Sequence, residues 1–451
     1  MTTKTLSKAV VMLLVALLPA LSSCKKEATD VSDLLSKVPS SASSVVGINL
    51  GSLLEKAGCK VDGSEIEAGP EIEKWIDSQK EYMANQKETM KLFLSGESGI
   101  DPVGAVFFTD AYGSYITAMV ADAGKFIDFV KKETGNEFVE TDGVKTAANI
   151  AMVGAQMWIN LTNGNTIDPV AVKNYAALDE AQSFMQNPFA GSISNMTSDI
   201  VGWGQIRAFI NKGMSFGDLT MLNMATGMLF EDAYALSLTF NFLEGKLEGN
   251  VSVLNDKGEL AKYLLPADKL DTDDIKSLCE NAELVGGVSI TKKMMEKIEK
   301  VGSSLGGSLF GPMIKALGSL DGTVAVALAD IDSPENGIRG VVTTDGNPSL
   351  DMMNLLNMLA PTKKDGKLVT FSKGEMKGGL VVKDVADYLK GATLGIVTNA
   401  TASDINGDKE GIKTVAFKIS PDKDGIVANV TVTGIDPEEN MLMTLLKHNT
   451  K

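Results

Sequence analysis

The sequence predicts an α+β fold in which repeated β-α-β-β-α units form mixed, mostly antiparallel sheets covered by helices. Three observations predict it. A β-rich run of one kind recurs along the 451 residues, at 45–50 (VVGINL), 200–206 (IVGWGQI), 285–290 (VGGVSI) and 394–399 (LGIVTN). The first three lead into stretches with helical spacing, at Leu53, Ala208 and Lys292 onward. All four are followed by two strand-like runs separated by a turn, and such self-similarity is a stronger guide to architecture than single-residue propensity.

The chain opens on Lys4, Lys8 and a ten-residue apolar run at 9–18 (AVVMLLVALL), then Leu21-Ser22-Ser23-Cys24. A run of that length is too short to span a bilayer and suits a secretory signal. Small residues before a cysteine resemble a bacterial lipobox. The resemblance implies a lipoprotein signal peptide over 1–23, a lipidated Cys24 and a tether over 24–36. Attachment to a membrane would then rest on acyl chains at Cys24, two or more of which anchor stably.

From residue 37 the units follow. Residues 37–265 form an N-terminal half with two units and an insertion at 138–197, and residues 283–451 form a C-terminal half with two more. The first hairpin is expected at 104–110 and 114–121, and the second at 233–242 and 246–254, turning at Glu244-Gly245. The third lies at 322–329 and 337–344, and the fourth at 413–420 and 425–433. Asp122, Asp256, Asp345 and Asp436 stand after these hairpins as helix caps, because an aspartate there accepts the orphan amides of a first turn. Four aspartates in one repeat position also admit a ligand set, but capping already accounts for them. Outside the units, a helix is expected over 70–94, where Ile72, Trp75, Ile76, Met83 and Met90 share a face. A further hairpin and a helix over 170–185 fill 146–187.

Residues 39–50 read P-S-S-A-S-S-V-V-G-I-N-L. With the lipobox and short linker before it, this opening resembles a family of uncharacterised, lipobox-bearing envelope lipoproteins of the Bacteroidetes, a domain-of-unknown-function family. The resemblance implies an address and brings no activity.

Composition narrows the partners. The formal charge is −16 with only two arginines, Arg207 and Arg339, and removal of Lys4 and Lys8 with the signal peptide takes it to −18. Phosphate contacts need clustered Lys or Arg, so nucleic acid is not an expected partner. Cys59 and Cys279 allow a disulfide in an oxidising compartment; two buried small apolar side chains is the plainer reading. The single histidine, His448, lies near the C-terminus, which excludes a histidine-based triad.

Candidate chemistry is sparse, and no catalytic residue is expected. Asp404, Asn406 and Asp408 match the first positions of a calcium loop, but Lys409 takes the place of the required glycine and Val415 that of the bidentate glutamate. A polar loop with an Asn-Gly turn is preferred there. Asp330, Asp332 and Glu335, and likewise Asp271, Asp273 and Asp274, offer paired carboxylates for glycosidic chemistry; turn and cap roles cover both. Met214, Met221, Met224 and Met228 fall near one helix face, as core or as an adaptable groove.

The expected function is therefore a membrane-anchored, non-enzymatic binding or scaffold protein of the envelope, with an envelope protein as partner and no cofactor. A carrier of an apolar ligand and a carboxylate-dependent glycan hydrolase are the alternatives. Acids just after Cys24 are dispersed, so the outer membrane facing the periplasm is expected rather than the cell surface.

Overall fold

The computed structural model describes residues 29–448 apart from 64, 79–90, 92, 163–165, 211–226, 228, 267, 279, 305–316 and 401–410. It contains both helices and a large antiparallel sheet, the α+β class that the recurring strand runs predict. In chain order the strands begin with β1 (Thr29–Asp30), β2 (Ser44–Ile48), β3 (Lys60–Asp62), β4 (Glu65–Glu67), β5 (Ile100–Thr109) and β6 (Ser114–Val120). A meander follows: β7 (Val139–Thr141), β8 (Val144–Ala147), β9 (Ile150–Val153) and β10 (Gln156–Asn160). Next come β11 (Asn195–Met196), β12 (Ile200–Gln205), β13 (Ala235–Leu243) and β14 (Lys246–Leu254). The remainder are β15 (Leu284–Ile290), β16 (Leu320–Leu328), β17 (Gly337–Thr344), β18 (Thr362–Asp365), β19 (Leu368–Gly374), β20 (Leu394–Asn399), β21 (Ile412–Asp422) and β22 (Gly425–Gly434).

Eighteen of these strands join one sheet; β1 pairs with β11 and β3 with β4 in two small ribbons. The sequence pattern suggests several mixed sheets, but every pairing among the described residues is antiparallel and the large sheet is continuous. Short two-residue turns such as Glu244-Gly245 explain the antiparallel bias, since parallel neighbours need long crossovers. The ladder runs as one unbranched path and ends at β7 and β18, each with one described partner.

At its middle β14 pairs with β22. Outward from this seam the order is β14-β13-β12-β2-β5-β6-β10-β9 on one side. On the other it is β22-β21-β20-β15-β16-β17-β19-β18. The long hairpins also match in detail. The β5–β6 register shifts between Ile100 and Ala105, and the β16–β17 register shifts between Leu320 and Val324, at the same end of the pair.

Because side chains alternate across a strand, the registers sort the core into two faces. One face carries Val45, Phe108, Tyr115, Trp158 and Trp203 in the first half, and Val285, Ala325, Val341 and Val397 in the second. The other carries Ile48, Ala105, Ile116 and Met157, and in the second half Leu320, Val342, Val369 and Phe371. Each fully buried large side chain, Trp158 and Phe108 among them, contributes roughly 1.5–3 kcal/mol.

Helices cover both faces, and local chemistry starts them. Asp122 accepts from the amides of Gly124 and Lys125 at 2.8 and 3.0 Å to open the Ala123–Thr134 helix. Gly135 closes that helix at φ 69°, a conformation that glycine adopts freely. Asp168 and Pro169 open Pro169–Ala176, and Ser349 opens Leu350–Leu359. The other aspartates expected as caps act differently. Asp345 accepts from Asn347 and Asp436 from Glu438, each holding a turn ahead of its helix.

Residues 257–266, after Asp256, hold no helix. Asn255 folds the chain back by accepting from the amides of Lys257 and Glu259, and Ala261 then donates to the Val253 carbonyl at 2.8 Å. The helix expected over 170–185 stops at Ala176, and two 3₁₀ turns follow, Glu180–Gln182 and Phe184–Gln186. Asp179 and Ser183 each capture an amide and restart the chain, and the Phe184 amide leaves to bond the Val38 carbonyl. Of the helix expected over 70–94, Pro70–Ser78 and residues 91, 93 and 94 are described, and all are helical.

Candidate functional site: a polar cleft at the seam

The seam is polar on one face. Register places Ser237, Thr239 and Asn241 of β13 beside Glu248, Asn250 and Ser252 of β14. Across the seam these meet Val427, Asn429 and Thr431 of β22, and beyond them Ala416, Lys418 and Ser420 of β21. The hydrophobic clusters on this face lie to either side, so a band of amides, hydroxyls and charges separates two packed cores. On the opposite face Gly249 lies under Phe240, where a Cβ would stand 2.6 Å from the ring.

Hydrogen bonds order the band. Thr239 Oγ1 accepts from Asn250 Nδ2 at 3.2 Å, and Asn250 Oδ1 accepts from Asn429 Nδ2 at 2.5 Å. Lys246 Nζ and Glu248 Oε1 pair at 2.5 Å, both side chains about two-fifths exposed. Over the β21 side stands the Val382–Leu389 helix, which buries Val385 and Leu389 with Val397 and Ala416. That packing suspends Asp387 and Tyr388 above Lys418, Asn429 and Thr431, and encloses a cleft of about 280 Å³ with Lys246 and Glu248 at its rim. The size fits one side chain or one sugar ring of a partner, and the lining offers both signs of charge with neutral donors and acceptors. A wider hollow of about 400 Å³ lies in the first half between Asp128, Lys131, Glu137 and Lys145.

Two buried polar clusters brace the first half. Asp199 accepts from Lys56 Nζ at 2.5 Å, Ser52 Oγ at 2.9 Å and the Phe242 amide at 2.8 Å, with the two charged side chains 0% and 5% exposed. The Tyr175 hydroxyl donates to Asp110 Oδ2 at 2.7 Å within a cluster of Phe108, Tyr115 and Tyr175 rings. Burial, then the Asp110 carboxylate, holds the Tyr175 hydroxyl far above its ordinary pKa.

The acidic clusters singled out in the sequence do local work. Asp330 accepts from the amides of Asp332 and Ser333, and Asp271 from those of Asp273 and Asp274 at the start of Thr272–Lys276. Asp274 accepts from Thr343 Oγ1, and burial raises its carboxyl pKa. Asp332 and Glu335 are exposed on the turn between β16 and β17. Cys59 is a buried free thiol in the first half, and burial raises it to about 11. Cys24, Cys279, Asp404, Asn406 and Asp408 lie outside the described residues, as do Met214, Met221, Met224 and Met228. No group of three His, Cys, Asp or Glu side chains gathers to hold a metal among the described residues.

The cleft residues carried no mark in the sequence. Lys246, Glu248 and Lys418 fall there in runs expected as alternating strands, and the helix that carries Asp387 and Tyr388 was not expected at all. Only the pairing of β14 with β22, some 180 residues apart, brings them together.

No family model matches the chain, and no curated protein matches it. Among solved structures it is similar to TP0453 in crystal form III, at 8% identity and a TM-score of 0.30 over 78% of this chain and 97% of that one. Crystal form I of TP0453 gives 7% identity and a TM-score of 0.29 over 78% and 96%. Likeness at this level transfers neither fold nor function.

Proposed function

We propose that this is a lipid-tethered protein of the bacterial envelope that binds a partner protein without turning it over, its repeated β-α-β-β-α units serving as scaffold. Cys24 is the attachment point, and the body stands on the periplasmic side of the outer membrane. The polar cleft at the β14–β22 seam carries the reading: it is a formed, charged recess on the sheet, with its acid Glu248 already matched to Lys246. Such a recess suits recognition of a polar side chain or loop on another molecule.

A photo-crosslinking residue at Tyr388, in the full chain in its native envelope, tests this. One discrete adduct is expected from position 388 and none from exposed Lys60. Adducts indifferent to position, or none at 388, would overturn the cleft as the binding site. Protease treatment of intact cells tests orientation; digestion of the body would place it on the cell surface.

A carrier of an apolar ligand is a second reading, and the opposite face of the seam favours it. There Val251, Val253, Phe417 and Val430 are only half-buried. Purified protein that yields extractable lipid would support this reading, and bare protein would remove it.

A further inference from the structure

The two ends of the ladder differ, and the difference shows what one of them lacks. The β9–β10 and β18–β19 hairpins occupy corresponding places, each after a long hairpin and the helix that follows it. Both turn through two residues, Gly154-Ala155 and Gly366-Lys367, with the glycine at φ 59° in each. In the first half β9 carries a further strand on its outer edge, β8, which pairs Ala147 with Ile150 and Lys145 with Met152. In the second half no strand among the described residues stands outside β18. The scaffold thus has room for one more strand there, and the β7–β8 hairpin fills the same place in the first half.

Residues that flank a two-residue turn bond one another, so the next residue along the strand directs its amide and carbonyl outward. In β18 Asp365 and Leu368 flank the turn, and Lys364 faces outward. The other outward amide, of Thr362, is taken by the Asn357 side chain at 3.3 Å. In β7 Thr141 and Val144 flank Asp142-Gly143, and Glu140 faces outward. The centre of each open edge is therefore a single charged residue, and the two charges are opposite. Lys364 Nζ donates to the Gly346 carbonyl at 2.9 Å, and among the described residues neither Lys364 nor Glu140 has a salt-bridge partner.

Direction and face also agree. Eighteen strands, each antiparallel to the next, leave β7 and β18 running in opposite senses. Glu140 shares the sheet face of Lys145 and Met152, and Lys364 that of Val369, which is the same face. The β7 of a second copy therefore continues the ladder beyond β18 in the antiparallel sense, with this face kept. Glu140 then lies opposite Lys364, Thr141 opposite Lys363 and Val139 opposite Asp365, and no like charges meet. Pairing β18 with another β18 sets Lys364 against Lys364, and pairing β7 with another β7 sets Glu140 against Glu140. Like charges directly opposite are destabilising, and lysine on a short edge strand deters indiscriminate pairing. The register across the strands, rather than the net charge of either edge, selects the partner.

We infer that β18 takes the β7 edge of a second copy of this chain, Glu140 against Lys364, so that copies join head to tail. The contact is heterologous: it leaves one β7 and one β18 unused at the ends, and it extends into chains instead of closing as a symmetric dimer. The joined edges are three and four residues long. The contact therefore belongs to the weak class and shows where copies are concentrated.

Sedimentation of the full chain, purified from its envelope in mild detergent, should show species that grow with protein concentration. A carbodiimide joins a carboxylate to a neighbouring amine with loss of water. It should link Glu140 to Lys364 in the dimer band and not in the monomer band. Glu140→Lys alone and Lys364→Glu alone should each lower the association constant about tenfold. The thermal transition should be retained in both, because the two side chains are exposed. An equimolar mixture of the two variants should associate again, since each supplies the charge that the other lacks. Association unchanged in both single variants, no recovery in the mixture, or a chain that stays monomeric throughout the concentration series would overturn the inference.

Discussion

Asn250 and Asn429 face one another across the β14–β22 seam, the amide of one bonding the carbonyl of the other, 179 residues apart in the chain. The same offset relates their surroundings. It carries Phe240, which pairs with Ile200, onto Ile419, which pairs with Leu394. It also carries the turn closed by Leu243 and Lys246 onto the turn closed by Asp422 and Gly425. The antiparallel pairing of β14 with β22 therefore has its midpoint between these two asparagines, and the hairpins β13–β14 and β21–β22 are disposed about it as around a local two-fold axis.

Loss of either amide should weaken the seam. Asn429→Ala and Asn250→Ala are each expected to cost about 1 kcal/mol, the net value of a half-buried hydrogen bond. The double variant should cost less than the two single changes added, since they share one interaction. Urea unfolding of the three variants measures it, and strict additivity would mean that the pair contributes nothing as a pair.

Much of this arrangement was legible in the chain, and the reasons differ by element. Alternation in Asn250-Val251-Ser252-Val253 fixes which side chains share a face, because the period of a strand is two. The aspartate before Ala123–Thr134 is legible because a cap is a local bond. The turn at Asn255 and the restarts at Asp179 and Ser183 were not, since there a side-chain acceptor competes with the helix for the same amides. The cleft was hidden for a different reason: Lys246 and Tyr388 acquire their relation from a sheet pairing, and no local pattern encodes a long-range register.

The Asp199 carboxylate sits among three donors and ties the Leu50–Lys56 helix to the end of β13. Asp199→Ala should cost about 3–5 kcal/mol, because it strands the Lys56 ammonium in the interior. Replacing both, Asp199→Leu with Lys56→Met, should be markedly milder than Asp199→Ala alone. Denaturant midpoints decide the order, and a double variant as unstable as the single one would show that packing rather than charge sets the cost.

The pH dependence of stability should carry the mark of Cys59. Its thiol rises from 9.0 in the unfolded chain to about 11 in the folded one, through burial. A raised folded pKa means that the native state keeps a proton that the unfolded state gives up. Stability is thus intact below pH 9 and falls by about 1.4 kcal/mol per pH unit as pH climbs from 9 toward 11. Tyr175, whose hydroxyl is also held protonated by burial, adds to the fall above pH 10. Cys59→Ala should flatten the 9–11 portion of the profile in thermal melts, and an unchanged slope would remove the thiol from the account. At pH 8 the native thiol should react with iodoacetamide far more slowly than the unfolded one.

Glycine opposite an aromatic ring is a recurring device of this sheet, and it sets the last expectation. Gly340 of β17 pairs with Phe371 of β19, and a Cβ at 340 would stand 1.9 Å from the ring; Gly249 and Phe240 make the same pairing in the first half. In each case the ring lies across the neighbouring strand and fills the space left by the missing side chain, a known compensation for glycine in a strand. Gly340→Ala should therefore drive the Phe371 ring out of the cluster that holds Val342, Met352 and Leu356. The cost should be about 1–3 kcal/mol, the range for overpacking a filled core. Gly340→Ala combined with Phe371→Leu should recover part of it, because the shorter side chain clears the new methyl. Thermal unfolding of the single and double variants checks the pairing, and a double variant less stable than Gly340→Ala would show that the ring contributes more by its own burial than it loses by collision.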